Sequence, residues 1–577
     1  MCRSRAAGSG RVERHESRFV LCLAAAIPMI ALAAGAFAGT SEDLLFFHGR
    51  ILAGVEDSSG VAVARWADAV LVHDGRVAAT GALAGVEAQA RSLQLQPRRV
   101  DLAGRFAMPG LCDAHGHVAG LGFALARLDL VGSSSAEEVA GKVANAAKGT
   151  AKGEWILGRG WDQNRWGSTG FPTRALLDRA APEHPVWLRR VDGHAAWANS
   201  RALALAGVTA GTPDPAGGRI YRLADGSPSG VLVDNAMDLV ERAIPKPSRA
   251  DTRAAIVRAL EHCRRLGLTS VHDAGVDSEE VAIYQDLVAT NALPIRVFAM
   301  LLAETALRPG MLPRAKLESA NGMFRVFAVK AYADGALGSR GAALLAPYSD
   351  DTTNTGLLVT PPDSLERIAR ACVAAGYQMC THAIGDRANR IVLEAYEHAA
   401  GEALRDKRFR IEHAQVLSPD DIPRLAGDGV IASMQPTHCT SDMGWAPARL
   451  GLVRVEGAYA WRRLLGAGAR LAFGSDFPVE SADPRLGLYA AVTTQRVDGT
   501  PPGGYRPTER LTVLEAIRAF TSDAAYAAFS EGELGRLAVG QRADLVVWDR
   551  DLTMVGSAEM LEARVVQSWV GGVRRGR

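Results

Sequence analysis

Cysteine is scarce in this chain, aromatic residues are few, and neither sign of charge dominates. Only seven of 577 residues are cysteine, and the five beyond residue 38 (Cys112, Cys263, Cys372, Cys380 and Cys439) are odd in number and scattered. That pattern excludes a disulfide framework, and the lack of any CxxC pair excludes a ribbon-type structural zinc site. Lys and Arg total 65 against 63 Asp and Glu, so the chain lacks the basic surplus of a nucleic-acid-binding protein. No GxSxG elbow is present, which argues against a serine hydrolase. The glycines of Gly335–Gly341 lack both the Gly-Lys-Ser/Thr ending of a P-loop and the GxGxxG spacing of a dinucleotide site. They read as a loop whose Arg340 is placed to meet an anionic substrate.

Long uncharged apolar runs are also missing, with one exception. Residues 19–38 carry no charge, follow a stretch with five Arg and two Glu, and end in Ala36-Phe37-Ala38. A charged start, an apolar middle and a small-x-small end are the parts of a cleavable export signal. The same run is long enough to span a bilayer as an anchor. Pro28, the many alanines and the cleavage pattern favour removal, which predicts a signal peptide over 1–38 and a periplasmic or secreted protein free of the membrane.

The rest of the chain has an ordinary globular composition, 48% hydrophobic and 22% charged. From residue 106 onward one unit recurs: a short β-rich apolar run, a polar cluster, then an alanine-rich amphipathic stretch. Eight such runs occur, at 106–113, 268–273, 294–300, 324–332, 377–382, 409–413, 430–435 and 470–476. Alternation of this kind predicts an α/β fold, a (β/α)8 barrel with its active face at the C-terminal strand ends. About 150 residues separate the first run from the second, far more than one crossover helix needs, so 131–250 is expected to be an insertion over the barrel mouth. The two chain ends, 39–105 and 526–577, each read as short strands with turns and too few strands for a core. Together they are expected to form one small β-sandwich beside a barrel spanning 106–525.

The predicted strand ends carry Asp113-Ala-His115-Gly-His117, His272-Asp273, Lys330, His382, His413, His438 and Asp476. In an extended strand, residues two apart share a face, so His115 and His117 present both imidazoles to one side. Imidazoles and carboxylates gathered at one rim of an apolar barrel need partners, and a zinc-type cation supplies them together.

With these positions, the pattern resembles the amidohydrolase superfamily of metal-dependent hydrolases. Finer motifs are similar to the branch that includes N-substituted formamide deformylases: GRGWDQN (158–164), VDGHAAWANSRAL (191–203), VKAYADGALGSRGA (329–342), THAIGDRA (381–388), RIEHAQ (410–415) and GSDFPVE (474–480). The resemblance covers about 43–577. It implies that His115, His117 and Asp476 bind one divalent metal and that His382 and His413 bind a second. It also implies that Lys330 stands where many members carry a carbamylated lysine bridging both metals, an N6-carboxylysine; an unmodified Lys330 paired with Asp334 or with a substrate carboxylate is the alternative.

A zinc-activated water would then attack a non-peptide amide or N-formyl carbon, with Asp476 shuttling the proton and His438 stabilising the oxyanion. Trp161, Asp162, His194 and Trp197 of the insertion are candidate pocket wall. Deamination, opening of a cyclic amide, or a non-catalytic barrel that binds a small molecule remain as other readings. The expected partner is a small-molecule amide and not nucleic acid, with a homodimer left open.

Overall fold

The computed structural model describes residues 42–167, 170–308 and 317–575. The predicted signal peptide lies outside these described residues. Eight parallel strands form the centre: Leu111–Gly116 (β1), Leu268–Val276 (β2), Arg296–Leu302 (β3), Phe324–Tyr332 (β4), Gln378–Ala383 (β5), Arg410–His413 (β6), Ile431–Met434 (β7) and Leu471–Phe473 (β8). They neighbour one another in strict sequence order from β1 to β8. The ring closes just past β8, where the Asp476 amide donates to the His115 carbonyl (2.7 Å) and the His117 amide donates to the Phe477 carbonyl (2.8 Å). Gly116 is what permits this seam, since a Cβ there would lie 2.4 Å from the Phe477 ring.

Helices between the strands cover the barrel for reasons written locally. Arg249–Arg265 starts with a capping box of Ser248 and Asp251 and buries Ala255, Ile256, Ala259, Leu260 and Cys263 along one face. Pro362–Ala375 opens on proline and ends at Gly376, whose φ of 73° terminates the last turn. Their apolar faces pack with outward strand residues such as Val271, Val297, Val329 and Ile411 in one continuous core. The lower barrel is filled differently. Helix Ser522–Ala527 sets Ala524, Ala525 and Ala527 against Cys112, Ala114, Ala274 and Ala328, small side chains that let a helix plug the interior.

The first predicted run divides in two. Phe106–Pro109 pairs with Leu545–Trp548 in a sheet made from both chain ends, and the barrel strand starts only at Leu111. This terminal sheet has eight strands, with the long hairpin of Leu44–Ser58 and Val61–His73 at its heart. Period-two alternation splits the first strand between two cores: Leu44 and Phe46 meet Trp569 and Leu545, while Leu45 packs with Val86 and Ala90.

Between β1 and β2 the chain builds a third sheet of six strands, running Gly218–Arg222, Pro228–Asp234, Ala195–Ala198, Val186–Arg190, Ile156–Trp161 and Leu128–Asp129 across its width. Trp161, Leu188 and Trp197 fill one face and Trp187, Ala196 and Leu232 the other. Buried on both sides, it is a small body in its own right, and the loops at one end reach the barrel mouth.

Candidate metal centre at the barrel rim

The rim residues converge. His115 is fully buried on β1, and its Nε2 lies 3.6 Å from Asp476 Oδ1 and 3.3 Å from Lys330 Nζ. His117 Nε2 is 3.1 Å from the same carboxylate oxygen. The His413 ring stands 4.9 Å from His115 and 4.6 Å from His382, centroid to centroid. Ligand atoms of His115, His413 and Asp476 all lie within 4.8 Å of one another. This group joins residues of β1, β6 and the segment just past β8, so His413 stands with His115 and Asp476 as well as beside its expected companion His382.

The backbone is bent to achieve this. His413 and Asp476 adopt φ of 76° and 60°, left-handed values that cost non-glycine residues energy and cluster where function requires them. His413 closes β6 and Asp476 follows shortly after β8, and both turn their side chains into the rim.

Three of the rim imidazoles, His115, His413 and His382, are held by neighbouring groups. Nδ1 of His115 contacts the carboxylate of Glu412, a buried group that two-residue spacing on β6 places beside Arg410. Arg410 reaches Glu412 at 2.7 Å and 3.0 Å and also donates to the Ala114 carbonyl and Ser433 Oγ. Burial pushes His115 down to about 4, and the carboxylate of Glu412 accepts only, so the ring is neutral with its proton on Nδ1. Nε2 therefore offers a lone pair to the rim. His413 repeats the device, its Nδ1 lying 2.7 Å from Gln435 Oε1 and its charge disfavoured by burial. His382 is also held neutral by burial, with Nε2 3.5 Å from both the Gly335 carbonyl and Asp334.

Asp476 is the opposite case. Burial raises its pKa, but the contact with His117 and the positions of His115 and His413 together hold it well below the usual carboxylate range. Lys330 is buried between these groups, and desolvation pushes its ammonium down to about 8 despite Glu412 and Asp476 nearby. Asp334 does not pair with Lys330. It accepts the amides of Ala343 (2.8 Å), Ile384 (3.0 Å) and Gly385 (2.8 Å), which locks the loops after β4 and β5 together.

Above the cluster opens a cavity of about 830 Å³, lined by His117, Lys330, His382, His413, His438 and Asp476 from the barrel. Asp162 and His194 line it from the insertion. His194 is braced by Asp234 at 2.7 Å and faces the His382 ring at 5.1 Å. His438 Nε2 lies 3.8 Å from Asp476 Oδ2 and has no hydrogen-bond partner among the described residues.

Two residues expected in the pocket wall, and Arg340, expected to meet an anionic substrate, are elsewhere. Trp161 and Trp197 are fully buried in the insertion core, 6.2 Å apart, and the Trp161 indole donates to the Leu188 carbonyl (2.7 Å). Alternation along their strands turns both toward that core and away from the cavity. Arg340 is held by Asp350 at 3.0 Å, facing away from the rim. The His272-Asp273 pair is also not a rim feature: His272 lies below it against Arg410 (2.9 Å), and Asp273 accepts from Tyr284 (2.6 Å) and the Val118 amide (3.0 Å).

Glu412 and Gln435 were not anticipated as orienting groups. Their signal was present in the motif RIEHAQ and in MQPTH, since inward positions on β6 and β7 fall two residues apart.

A parallel barrel with neutral imidazoles and an ionised carboxylate gathered at its C-terminal rim defines a metal-dependent hydrolase. Comparison with known proteins agrees. The chain belongs to the Amidohydrolase family, whose model matches residues 98–575. It is a hydrolase acting on carbon–nitrogen bonds. Among curated relatives, Protein LONG AFTER FAR-RED 3 of Arabidopsis thaliana is 35% identical over 93% of this chain and 92% of its own length. N-substituted formamide deformylase of Arthrobacter pascens is 29% identical over 88% of this chain and 95% of its own. Among solved structures, an uncharacterised metal-dependent hydrolase of Pyrococcus horikoshii superposes with a TM-score of 0.73 at 28% identity, covering 89% of this chain and 99% of that one.

Proposed function

We propose that the protein is an exported zinc-dependent amidohydrolase that cleaves a non-peptide amide or N-formyl bond. The observation that carries this reading is the convergence of His115, His413 and Asp476 within 4.8 Å, with His117, His382 and Lys330 around them. His117 Nε2 and His115 Nε2 both approach Asp476 Oδ1, yet that oxygen makes no well-directed hydrogen bond. Nitrogen and oxygen atoms that crowd together without bonding one another fit a set of donors to a shared cation. Neutral imidazoles with a carboxylate are the donor chemistry of zinc.

His115, His117, His413, Asp476 and His382 would hold one or two divalent ions, with Lys330 as a bridging N6-carboxylysine. A neutral amine is the form that captures CO₂, and burial of Lys330 favours it. When bound, the metal supplies Lewis acidity and a water of lowered pKa. The chain's own residues do the rest. The Asp476 carboxylate accepts a proton as a nucleophilic water attacks and then delivers it to the departing amine. His438, poised beside Asp476 with a free Nε2, donates to the oxyanion. His194, with Asp234 behind it, orients the substrate from the insertion side.

The N-formyl preference is supported by the similarity to the Arthrobacter enzyme, and export by the uncharged run at 19–38 after an arginine-rich start. Among the described residues no helix is long and apolar enough to cross a membrane. The decisive experiment is metal analysis coupled to a screen of N-formyl and N-acyl amines. About two equivalents of zinc, lost to a chelator together with amide turnover and restored with it, are expected. A protein that turns over none of these amides when saturated with zinc would overturn the proposal.

A further inference from the structure

The motif GRGWDQN is not used up by the metal centre, and Arg159 within it has an unusual setting. Strands Ile156–Trp161 and Val186–Arg190 run parallel, and their register sets Arg159 directly beside Arg189. Like charges at paired positions are destabilising, so each needs an acid nearby. Arg189 has one: Glu241 accepts from it twice, at 2.9 Å. Arg190, the next residue, has Gln163, Asp162 and Asp192.

Arg159 has no such partner. Among the described residues no carboxylate lies within 4.0 Å of its guanidinium; Nη2 donates to the Val191 carbonyl (2.8 Å), and Nε is buried without any partner. Burial and the charge of Arg189 push its pKa down to about 10, which still leaves it charged at neutral pH.

The location of this unmatched cation is informative. Arg159 lines the cavity above the metal centre and also a side cleft of about 290 Å³ that opens from it. The cleft wall carries Arg127, Arg159, Arg189 and Lys246 against Glu241 alone, with Leu157, Trp187 and Pro247 as apolar lining. Arg159 is half-buried, and a guanidinium there with donors not used by the described residues matches the two oxygens of a carboxylate, which it binds through paired hydrogen bonds.

We propose that Arg159 is a substrate-recognition residue, and that the preferred substrate is an amide whose non-reacting end carries a carboxylate seated in this side cleft. The proposal deepens the amidohydrolase reading and rests on it for the reaction. The amide would then lie across the cavity between the rim and the insertion sheet, with Arg159 fixing its acid end. Selectivity would come from a wall that the insertion supplies, separate from the residues that do the chemistry.

The test uses the zinc-saturated enzyme and three matched amides: N-formylphenylalanine, its analogue without the carboxylate (N-formylphenethylamine), and the analogue with a phosphonate. Wild type is expected to favour the carboxylate over the neutral amide by about 10-fold or more in kcat/KM, and Arg159→Met to erase most of that ratio. A comparable preference for the phosphonate would identify the site as one for anions in general and overturn the carboxylate assignment. Equal or faster turnover of the neutral amide by wild type would overturn the proposal, as would an Arg159→Met variant that lowers all three rates alike.

A second readout needs no turnover: binding of 3-phenylpropionate, followed by calorimetry, should weaken about 10-fold in Arg159→Met and less in Arg159→Lys, which keeps the charge but not the fork. If no amide is cleaved but this binding is lost in the variant, the hydrolase reading fails and the recognition site stands. If amides are cleaved and 3-phenylpropionate binds both proteins equally, the recognition site fails and the hydrolase stands. Should Arg159→Met not fold, Arg159→Lys carries both comparisons at smaller amplitude.

Discussion

The barrel rim and the insertion wall that faces it handle buried charge in opposite ways. At the rim, His115 is backed by Glu412 and Arg410, His413 by Gln435, and Asp334 by three backbone amides. These groups are fixed by the protein itself before any ligand arrives. On the wall, Arg189 and Arg190 are neutralised by acids, but Arg159 keeps unused donors beside an open cleft. The difference separates two tasks. Chemistry requires donors fixed before substrate arrives, because reorganisation at the moment of reaction costs rate. Selection requires a group whose partner is the substrate itself.

The largest effect should come from breaking the rim at its centre. Asp476→Asn keeps the shape but removes the carboxylate proposed as both a ligand and the proton acceptor. It should lower kcat by about 10³-fold or more in a steady-state assay, for carboxylate and neutral amides equally. A residual rate above a tenth of wild type would move the proton acceptor to another group and leave Asp476 a structural role.

Much of the rim was legible without coordinates, and the reasons are physical. Polar residues that end apolar strand runs draw attention, so His382, His413 and Asp476 stood out against the apolar residues before them. The HxH spacing on β1 is visible because strand geometry has a short, strict period. The wall was read less well. Trp161 and Trp197 lie in motifs with polar neighbours, but strand alternation turns them into the insertion core, and a single sequence does not tell which face of an isolated sheet meets the barrel. Arg340 looked free because its partner, Asp350, comes from ten residues further along an irregular loop with no period to place it. Glu412 was passed over for a related reason: a buried carboxylate signals itself only when its own partner, Arg410, is known to be on the same face.

A smaller effect separates orientation from ligation within the rim. Glu412→Gln removes the charge that fixes the His115 proton on Nδ1 while leaving the first set of donors in place. Partners of this kind typically govern metal affinity by about 10- to 100-fold. Zinc retention measured by chelator competition should weaken within that range, and saturating zinc should bring kcat back toward wild type. If excess zinc restores nothing, Glu412 acts on the reaction itself and the two tasks are not separated at this residue.

The smallest effect is expected at an arginine outside the wall that only resembles Arg159. Arg340 is charged, sits in a glycine-rich loop beside the barrel mouth and has a φ of 60°, features that suggest a residue held for a ligand. Its donors are already committed to Asp350, which Arg449 also contacts, so the loop keeps an ion pair after Arg340 is removed. Ion pairs of this partly exposed kind contribute about 1 kcal/mol or less. Arg340→Met should therefore lower stability by no more than about that amount in denaturant titration. It should also leave the carboxylate-to-neutral ratio of kcat/KM as it is in wild type, in contrast to Arg159→Met. Loss of that ratio in Arg340→Met would show that a neutralised arginine can still select the substrate, and with it the distinction between committed and uncommitted cations on the wall would fall.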